Sequence, residues 1–471
     1  MPSLNIQKLR LRDYRCFESI DIDFHPQLTV LVASNGAGKT SILDAVAVAF
    51  GPYVGAFDEG VGKHFLPSDI RLVRVRDTAS SEMEYAPKGA RLEAIGFIPG
   101  NMLAELVGED SPCAWRRHLA GPVKAKTTIR DAKELIAYGK RQQEAVRTPG
   151  ANVTLPLLAY YGTGRLWQQK KLTDAKLPRT SRTIGYSDCL DPASSYKSLV
   201  AWFRYWSTNA LKDQLDASKA GREYVPTEFD HYIQSVSGAV NTCLVPAGWK
   251  NIAYSLAREE LVAHHDEHGE LPVELLSDGI RNMIGMVADI AFRATKLNPQ
   301  LANDAAKETP GVVLIDEVDM HLHPEWQQVV LRSLTSAFPR LQFIVTTHSP
   351  QVLSTVPAAS IRILGQRWNS EAEKYEAVVA VPEQQTQGTA SADILATVMG
   401  TDPTPDVKPA RQLSQYKALI QQDMGSGDIA QGLRATLERH FGAHHPALLE
   451  CDRLIRLQGF RRQLPPKVPK E

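Results

Sequence analysis

The feature that most constrains the fold of this chain is a glycine-rich run between an apolar segment and a helical one. The run reads Ala33-Ser34-Asn35-Gly36-Ala37-Gly38-Lys39-Thr40 and follows the apolar segment 28–32. After it, apolar residues recur at helical spacing over 41–50. The run fits the pattern G-x-x-x-x-G-K-[ST] at every fixed position except the first, which is Ala33. Strand, loop and helix in this order predict an α/β fold built on a phosphate-binding loop.

The residue types of the run predict how it binds a nucleotide. Gly36 and Gly38 let the backbone turn its N–H groups towards a phosphate, helped by the positive end of the following helix. Lys39 is expected to reach the β- and γ-phosphates, and the Thr40 hydroxyl to bind Mg²⁺. Ala33 adds only a methyl group, which strains the loop if its φ is positive. The expected nucleotide-binding residues of the run are Ser34, Asn35, Gly36, Ala37, Gly38, Lys39 and Thr40.

Two later segments read as buried strands that end in polar side chains. Segment 312–315 is apolar and leads into Asp316 and Glu317, and segment 342–346 leads into Thr347 and His348. We expect Asp316 to bind Mg²⁺ through water and Glu317 to orient or activate the attacking water. A strand that ends in two carboxylates, lies downstream of a phosphate-binding loop and is followed by a second strand with a polar end is an uncommon combination.

A third segment, 276–281, reads Leu-Ser-Asp-Gly-Ile-Arg and opens a predicted helix. Ser277 is expected to cap this helix, and its N–H groups and dipole are then available to a γ-phosphate near Gly279. By itself the segment is only a capped helix. Its position between the glycine-rich loop and Asp316 makes it a candidate for the same site.

Together these segments resemble the ABC-type ATPases, in which a phosphate-binding loop, a signature, a Walker B strand, a D-loop and a switch histidine occur in this order. The resemblance covers roughly residues 1–365. It implies an ATPase head whose signature completes the site of another subunit, with ATP and Mg²⁺ as cofactors. Ser277 and Gly279 then act in trans, Asp319 is the D-loop contact, and His348 touches the γ-phosphate.

Two further residues of this family, an early arginine and the Q-loop glutamine, have candidates in the sequence. Arg15 matches an early arginine that contacts nucleotide in SMC-like and RecF-like heads, and an exposed arginine between strands is the alternative. The Q-loop glutamine has four candidates, which are Gln142, Gln143, Gln168 and Gln169.

Composition predicts a soluble protein. Of 471 residues, 43% are hydrophobic and 23% are charged, and no apolar stretch is long enough to span a bilayer. The N-terminus lacks the pattern of a signal peptide. We therefore expect a cytoplasmic protein without membrane contact.

The net charge is zero, but positive charge is concentrated in two segments. Residues 115–182 contain 15 Lys and Arg against 4 Asp and Glu, and residues 453–470 contain 6 basic residues and no acidic one. The first segment is a candidate for contact with DNA phosphates. A solvated face or an acidic partner subunit explains it equally well.

The predicted domains are an N-terminal lobe of the head (1–110), a mostly helical and basic insertion (111–250), a C-terminal lobe of the head (251–382) and a helical C-terminal domain (383–471). No sustained heptad pattern is present, which argues against the SMC branch and favours RecF-like, OLD-like and defence-system ATPases. OLD-type nucleases carry a C-terminal Toprim domain with a Glu and an Asp-x-Asp on strands. Segment 383–471 contains no hydrophobic strand that ends in Asp-x-Asp, so the comparison with this family implies that any nuclease is another chain.

Segments 155–167, 185–192 and 452–458 resemble PtuA, the ATPase subunit of Septu and retron-linked antiphage systems. This resemblance implies a homo-oligomer of head-to-head dimers that controls a small HNH endonuclease, PtuB, which cuts DNA. The C-terminal helices are then the expected place for docking or assembly. Two alternatives are a RecF-like DNA-repair ATPase and a nucleotide-sensing scaffold with negligible turnover.

Overall fold

The buried strands of the fold coincide with the continuous apolar runs of the sequence. The structure, a computed structural model, describes residues 3–74, 83–100, 112–165, 181–192, 196–371 and 373–463. Its strands are β1 (Lys8–Tyr14), β2 (Phe17–Asp23), β3 (Leu28–Val32), β4 (Leu72–Arg74), β5 (Met83–Tyr85), β6 (Ala90–Gly96), β7 (Cys113–Leu119), β8 (Leu157–Tyr161), β9 (Trp249–Ser255), β10 (Glu260–His265), β11 (Gly269–Pro272), β12 (Gly311–Ile315), β13 (Leu341–Thr346), β14 (Ile361–Asn369) and β15 (Lys374–Ala380). Gln168, Gln169 and the basic residues of 166–180 and 464–470 lie outside the described residues.

Helices make up most of the remaining ordered elements. They are α1 (Lys39–Val54), α2 (Lys133–Arg147), α3 (Tyr196–Lys219), α4 (Glu228–Leu244), α5 (Asp278–Leu297), α6 (Ala305–Glu308), α7 (Pro324–Gln327), α8 (Val330–Ala337), α9 (Pro350–Leu353), α10 (Ser391–Thr397), α11 (Lys408–Gln421), α12 (Asp428–Phe441) and α13 (Pro446–Gln463). The chain divides into two compact units, Met1–Ile394 and Leu395–Glu471.

The first unit is centred on a six-stranded sheet in the order β15-β14-β3-β13-β12-β8. All neighbours are parallel except β14 and β15, which form an antiparallel hairpin. Every residue of β3, β8, β12 and β13 is buried, as expected for parallel strands covered on both faces. The carboxyl ends of these four strands lie at one edge of the sheet, where parallel sheets bind ligands.

Helix α1 packs between this sheet and a second, antiparallel sheet in the order β2-β1-β6-β7. It contacts β13 of the first sheet and β6 and β7 of the second. The indole Nε1 of Trp115 donates to the carbonyl oxygen of Ala49 at 2.9 Å, which attaches β7 to the helix. The start of α1 is therefore held at the ligand-binding edge of the six-stranded sheet.

Helices α3, α4 and α5 pack together through aromatic side chains. The ring of Phe292 on α5 lies 5.7 Å from the rings of both Trp202 and Trp206 on α3. Trp206 also contacts Tyr232 on α4, at 5.2 Å between ring centroids. Rings at these separations attract one another beyond their burial of apolar area. These aromatic contacts join the three helices into one core.

The second unit consists of helices around its own apolar core. Buried side chains from α11, α12 and α13 form this core, and they are Tyr416, Ile420, Ala430, Leu437, Leu448 and Cys451. Arg434 pairs with Asp452 at 2.8 Å and joins α12 to α13. The predicted α/β class with helical additions and a helical C-terminal tail is confirmed. Among the described residues, no helix combines the length and apolar character that crossing a membrane requires.

Candidate functional site

The predicted phosphate-binding loop connects the end of β3 to the start of α1. Gly36 and Gly38 have φ angles of 80° and 94°, in the left-handed region that favours glycine. A Cβ on Gly38 would lie 2.4 Å from Cζ of Phe17, so a side chain has no room there. Ala33 is buried and has no positive φ. The alanine at the first position of the pattern is thus accommodated without the strain that a positive φ would cause.

Lys39 begins α1, and its side chain turns back over the loop. Its Nζ donates to the carbonyl oxygens of Ala33 at 3.0 Å and Ser34 at 3.4 Å. Burial lowers the pKa of Lys39, and the negative charges of Asp316 and Glu317 act in the opposite direction. Phosphate oxygens would offer this ammonium stronger, charge-assisted hydrogen bonds than the two carbonyls do.

Asp316 follows β12 and joins two hydroxyl groups. Thr40 Oγ1 donates to Oδ2 of Asp316 at 2.8 Å, and Thr346 Oγ1 donates to Oδ1 at 2.6 Å. A hydroxyl and a carboxylate therefore lie side by side at the end of the loop. Because Mg²⁺ prefers oxygen ligands, this donor set fits the cation that the sequence predicts at Thr40 and Asp316.

Glu317 has a φ of 48°, which is uncommon for a residue with a side chain. Its backbone N–H donates to Thr346 Oγ1 at 2.7 Å, the hydroxyl that also binds Asp316. The neighbouring Asp319 accepts a hydrogen bond from Thr347 Oγ1 at 2.5 Å. Thr346, which ends β13, and Thr347, which follows it, thus hold the backbone of Glu317 and the carboxylates of Asp316 and Asp319 after β12.

Most of the residues that the sequence predicts for the nucleotide site line one cavity of about 310 Å³. Its lining residues are Arg15, Cys16, Asn35, Gly36, Gly38, Lys39, Thr40, Ser41, Asp316, Glu317 and His348. Ser34, Ala37 and Asp319 border the same segments without lining the cavity. The cavity therefore combines a glycine-rich loop, an ammonium, two carboxylates and a histidine.

Arg15 lines this cavity and is held by two carboxylates. Its Nη1 lies 2.6 Å from Asp44 on α1, and its Nε lies 2.8 Å from Asp69. The side chain of Asp69 is only 3% exposed, so the guanidinium neutralises a buried charge. Arg15 therefore lies where a nucleotide contact is possible, and the alternative of an exposed arginine is wrong, because its side chain is half-buried in an internal ion pair.

Ser277 and Gly279 do not line the cavity. Ser277 is exposed at the N-cap position of α5, but its hydroxyl makes no capping hydrogen bond, so the prediction of a side-chain cap is wrong. The backbone of Ser277 still takes part in the helix, because its carbonyl oxygen accepts a hydrogen bond from the N–H of Arg281 at 3.0 Å. Gly279 is buried, and a Cβ there would lie 2.4 Å from the carbonyl oxygen of His321.

Two of the four candidate Q-loop glutamines lie on α2, outside the residues that line the cavity. Gln143 is buried and its Oε1 accepts from the N–H of Asp58 at 3.2 Å. Strand β8, which lies beside β12, ends at Tyr161. Gln168 and Gln169 follow that strand in the chain but are outside the described residues.

Several residues of the site were not singled out from the sequence. Cys16 and Ser41 line the cavity, and Thr346 connects Asp316 with Glu317. Cys16 and Ser41 directly follow Arg15 and Thr40, so adjacency was the available signal. The role of Thr346 depends on the pairing of β12 with β13, which the sequence alone does not specify.

Two family models match the chain. A model described as AAA domain matches residues 8–228. A second AAA-domain model, whose description adds AbiEii toxin and type IV toxin–antitoxin system, matches residues 247–354. The two matches contain the loop at Lys39 and the segment of Asp316 and Glu317, respectively.

Three relatives show how the similarity is distributed. The "Retron Ec83 probable ATPase" of Escherichia coli is 26% identical over 95% of this chain and 86% of its own length. The "Retron Vc95 probable ATPase" of Vibrio cholerae is 24% identical over 93% of this chain and 88% of its own length. The "Septu protein PtuA" of Bacillus thuringiensis is 28% identical over 33% of this chain and 39% of its own length. With AAA-domain matches over both parts of the candidate site, the chain is an ATPase that is similar in sequence to the retron ATPases and to Septu protein PtuA.

Proposed function

We propose that the cavity beside Lys39 binds ATP with Mg²⁺ and hydrolyses it slowly. One observation carries this proposal: the ammonium of Lys39, the Thr40–Asp316 pair, Glu317 and His348 all meet at one cavity. Bound Mg²⁺ would supply charge neutralisation for the phosphate oxygens. Thr40 and Asp316 are the residues that would hold it.

The roles of the protein groups follow from their positions. The N–H groups of the loop around Gly36 and Gly38 bind the phosphates, and Lys39 offsets their negative charge. Glu317 orients and activates the attacking water by accepting its proton, and His348 contacts the γ-phosphate. Residues Ser34, Asn35 and Ala37 complete the loop, and Arg15 and Asp319 border the nucleotide.

We further propose that ATP joins two heads. Ser277 is exposed at the start of the 20-residue helix α5, and neither it nor Gly279 lines the cavity of its own chain. A helix N-terminus with free N–H groups suits a γ-phosphate. In this proposal Ser277 and Gly279 of one subunit meet the nucleotide on Lys39 of another, and the protein is a homo-oligomer of head-to-head dimers.

The proposed setting is an antiphage defence complex in the cytoplasm. Similarity to the retron ATPases and to PtuA supports a role as the ATPase subunit that controls a PtuB-like HNH endonuclease. The helical unit Leu395–Glu471 has its own core and is the proposed docking or assembly domain. We also propose that the basic insertion contacts DNA. The proposed domain limits remain 1–110, 111–250, 251–382 and 383–471.

Phosphate release by the full assembly tests the chemistry. Wild type should release phosphate, Glu317→Gln should bind ATP without hydrolysing it, and Lys39→Ala should not bind ATP. Glu325→Gln, at an exposed carboxylate on α7, is the matched control and should keep wild-type turnover. Wild type that binds ATP without turnover would identify a nucleotide-sensing scaffold instead.

Light scattering of Glu317→Gln with and without ATP tests the joining of heads. ATP should increase the mass, and adding Ser277→Arg should prevent the increase while ATP still binds. Ser218→Arg, at an exposed serine of α3, should leave the ATP-dependent increase in mass intact.

Co-expression with the neighbouring reading frame, followed by a DNA-cleavage assay with and without ATP, tests the nuclease partner. A preparation that binds DNA but no nuclease would favour the RecF-like function.

A further inference from the structure

The positive charge of segment 115–182 divides into internal and exposed cations. Arg117 is 1% exposed, and its guanidinium donates to the carbonyl oxygens of Thr128 and Val48, each at 2.8 Å. Arg182 donates to the carbonyl oxygen of Leu297 at 2.6 Å. These two arginines stabilise the fold and contribute little to the surface, so the charge excess of the sequence overstates the basic surface.

Five of the exposed cations that the structure describes in this segment lie between residues 124 and 140. They are Lys124, Lys126, Arg130, Lys133 and Lys140, which we name the basic ridge. Within the described part of the chain, none of the five forms a salt bridge, whereas Arg116 pairs with Glu93 and Arg147 with Asp58. Asp131 and Glu134 lie in the same stretch, so residues 124–140 contain five cations against two carboxylates and carry a net charge of +3. The remaining repulsion among the cations is relieved when an anion lies along the ridge.

Helical periodicity fixes the direction of the ridge on α2. Lys133 and Lys140 are seven residues apart, which places them on one face of the helix, opposite the buried Leu135 and Tyr138. Along the helix axis they are separated by roughly 10 Å, at about 1.5 Å per residue. One strand of a DNA duplex advances about 3.4 Å per nucleotide, so this separation covers about three phosphates.

The ridge helix is fixed rigidly to the helix of the phosphate-binding loop. Gly139 lets α2 approach α1 closely, because a Cβ there would lie 2.7 Å from Cβ of Ala56 and 3.0 Å from the carbonyl oxygen of Tyr53. The rings of Tyr53 and Tyr138 stack at 5.5 Å. An anion on the ridge is therefore bound by a preformed element of the head.

We propose that the basic ridge binds the sugar-phosphate backbone of a nucleic acid without reading its sequence. Lysine is a compact charge suited to phosphate, and backbone contacts position a protein without specifying bases. This inference deepens the DNA contact of the proposed function by naming its residues. It does not depend on ATP turnover, because the ridge lies outside the nucleotide cavity.

Fluorescence anisotropy with a labelled duplex and a labelled single strand of arbitrary sequence tests the proposal, using the full chain without nucleotide. The test variant is Lys133→Glu with Lys140→Glu. The control is Lys212→Glu with Lys219→Glu, two exposed lysines that are also seven residues apart on one helix, α3. Thermal unfolding of both variants checks that the fold is retained.

Wild type and control should bind with affinity that falls steeply with salt. The test variant should lose about tenfold or more in affinity at low salt, and the slope of log affinity against log salt should fall by about two. Equal binding by the test variant and the control would overturn the proposal. Failure of the wild type to bind either probe at about 50 mM salt would also overturn the proposal. That result would favour an acidic protein as the partner of the ridge.

Discussion

The hydroxyl of Tyr161 donates a 2.7 Å hydrogen bond to Asp289 on α5. Asp289 also accepts from Arg293 at 2.8 Å, and all three side chains are buried. The carbonyl of Tyr161 accepts from the backbone N–H of Asp316 at 2.8 Å. Tyr161 therefore connects the backbone of Asp316 to helix α5, which begins directly after Ser277.

We expect Tyr161→Phe to lower the free energy of unfolding by about 1–3 kcal/mol, because buried Asp289 loses a donor. Burial raises the pKa of Tyr161, so its hydroxyl keeps the donated proton at neutral pH. Urea denaturation measures the change. Tyr375→Phe, at a tyrosine 66% exposed, should match wild type. An unchanged midpoint for Tyr161→Phe would contradict this account of the pair.

A second prediction separates the two residues of the signature segment. Gly279→Ala should destabilise the protein by about 1–3 kcal/mol, because its Cβ would lie 2.4 Å from the carbonyl oxygen of His321. Ser277→Ala should change the unfolding free energy by less than about 0.5 kcal/mol, because the exposed hydroxyl makes no capping bond. Thermal unfolding compares the variants. A loss of stability in Ser277→Ala similar to that in Gly279→Ala would contradict the arrangement.

The parts of the site that lie close together in the chain were predictable from the sequence. The loop from Ala33 to Thr40 has its strand and helix as expected, because a buried parallel strand is a continuous apolar run and lysine begins the helix. The strands before Asp316 and Thr347 were found within one residue for the same reason. Local pattern and burial agree in these segments.

The remaining relationships join distant residues and depend on the fold. Position 279 needs a glycine because the carbonyl oxygen of His321 lies close to it, and Arg15 forms a hydrogen bond with Asp69. No pattern in the neighbouring sequence indicates either contact. The hairpin of β14 and β15 was not predicted. Its exposed Trp368 and Tyr375 interrupt the alternation of apolar and polar residues that identifies a strand with one buried face. A residue type suited to capping likewise does not determine where the Ser277 hydroxyl points.

A third prediction concerns the glycines of the loop. Ala33→Gly should bind ATP with wild-type affinity, because the φ of Ala33 is not positive, and should lose about 0.4–1 kcal/mol of stability through the unfolded chain. Gly38→Ala should lose ATP binding, because its φ is 94° and its Cβ would lie 2.4 Å from Phe17. Isothermal titration calorimetry measures both affinities. Wild-type affinity in Gly38→Ala would show that the loop geometry is wrong.

A fourth prediction tests whether Arg15 contacts the nucleotide or serves only in its internal ion pair with Asp44 and Asp69. If Arg15 contacts the nucleotide, Arg15→Gln should weaken ATP affinity by roughly 10- to 100-fold, corresponding to about 1.5–3 kcal/mol for a hydrogen bond to a charged group. The same change leaves the buried carboxylate of Asp69 without its partner and should reduce stability. Affinity and stability therefore need to be measured on the same preparations.

The double variant Arg15→Gln with Asp69→Asn separates these two effects. Replacing the buried carboxylate with a neutral amide removes the uncompensated charge, so the unfolding temperature should recover towards the wild-type value. ATP affinity should remain as weak as in Arg15→Gln, because the guanidinium at the cavity is still missing. Recovery of affinity together with stability would instead assign Arg15 a purely internal role, in which it neutralises Asp69 and Asp44.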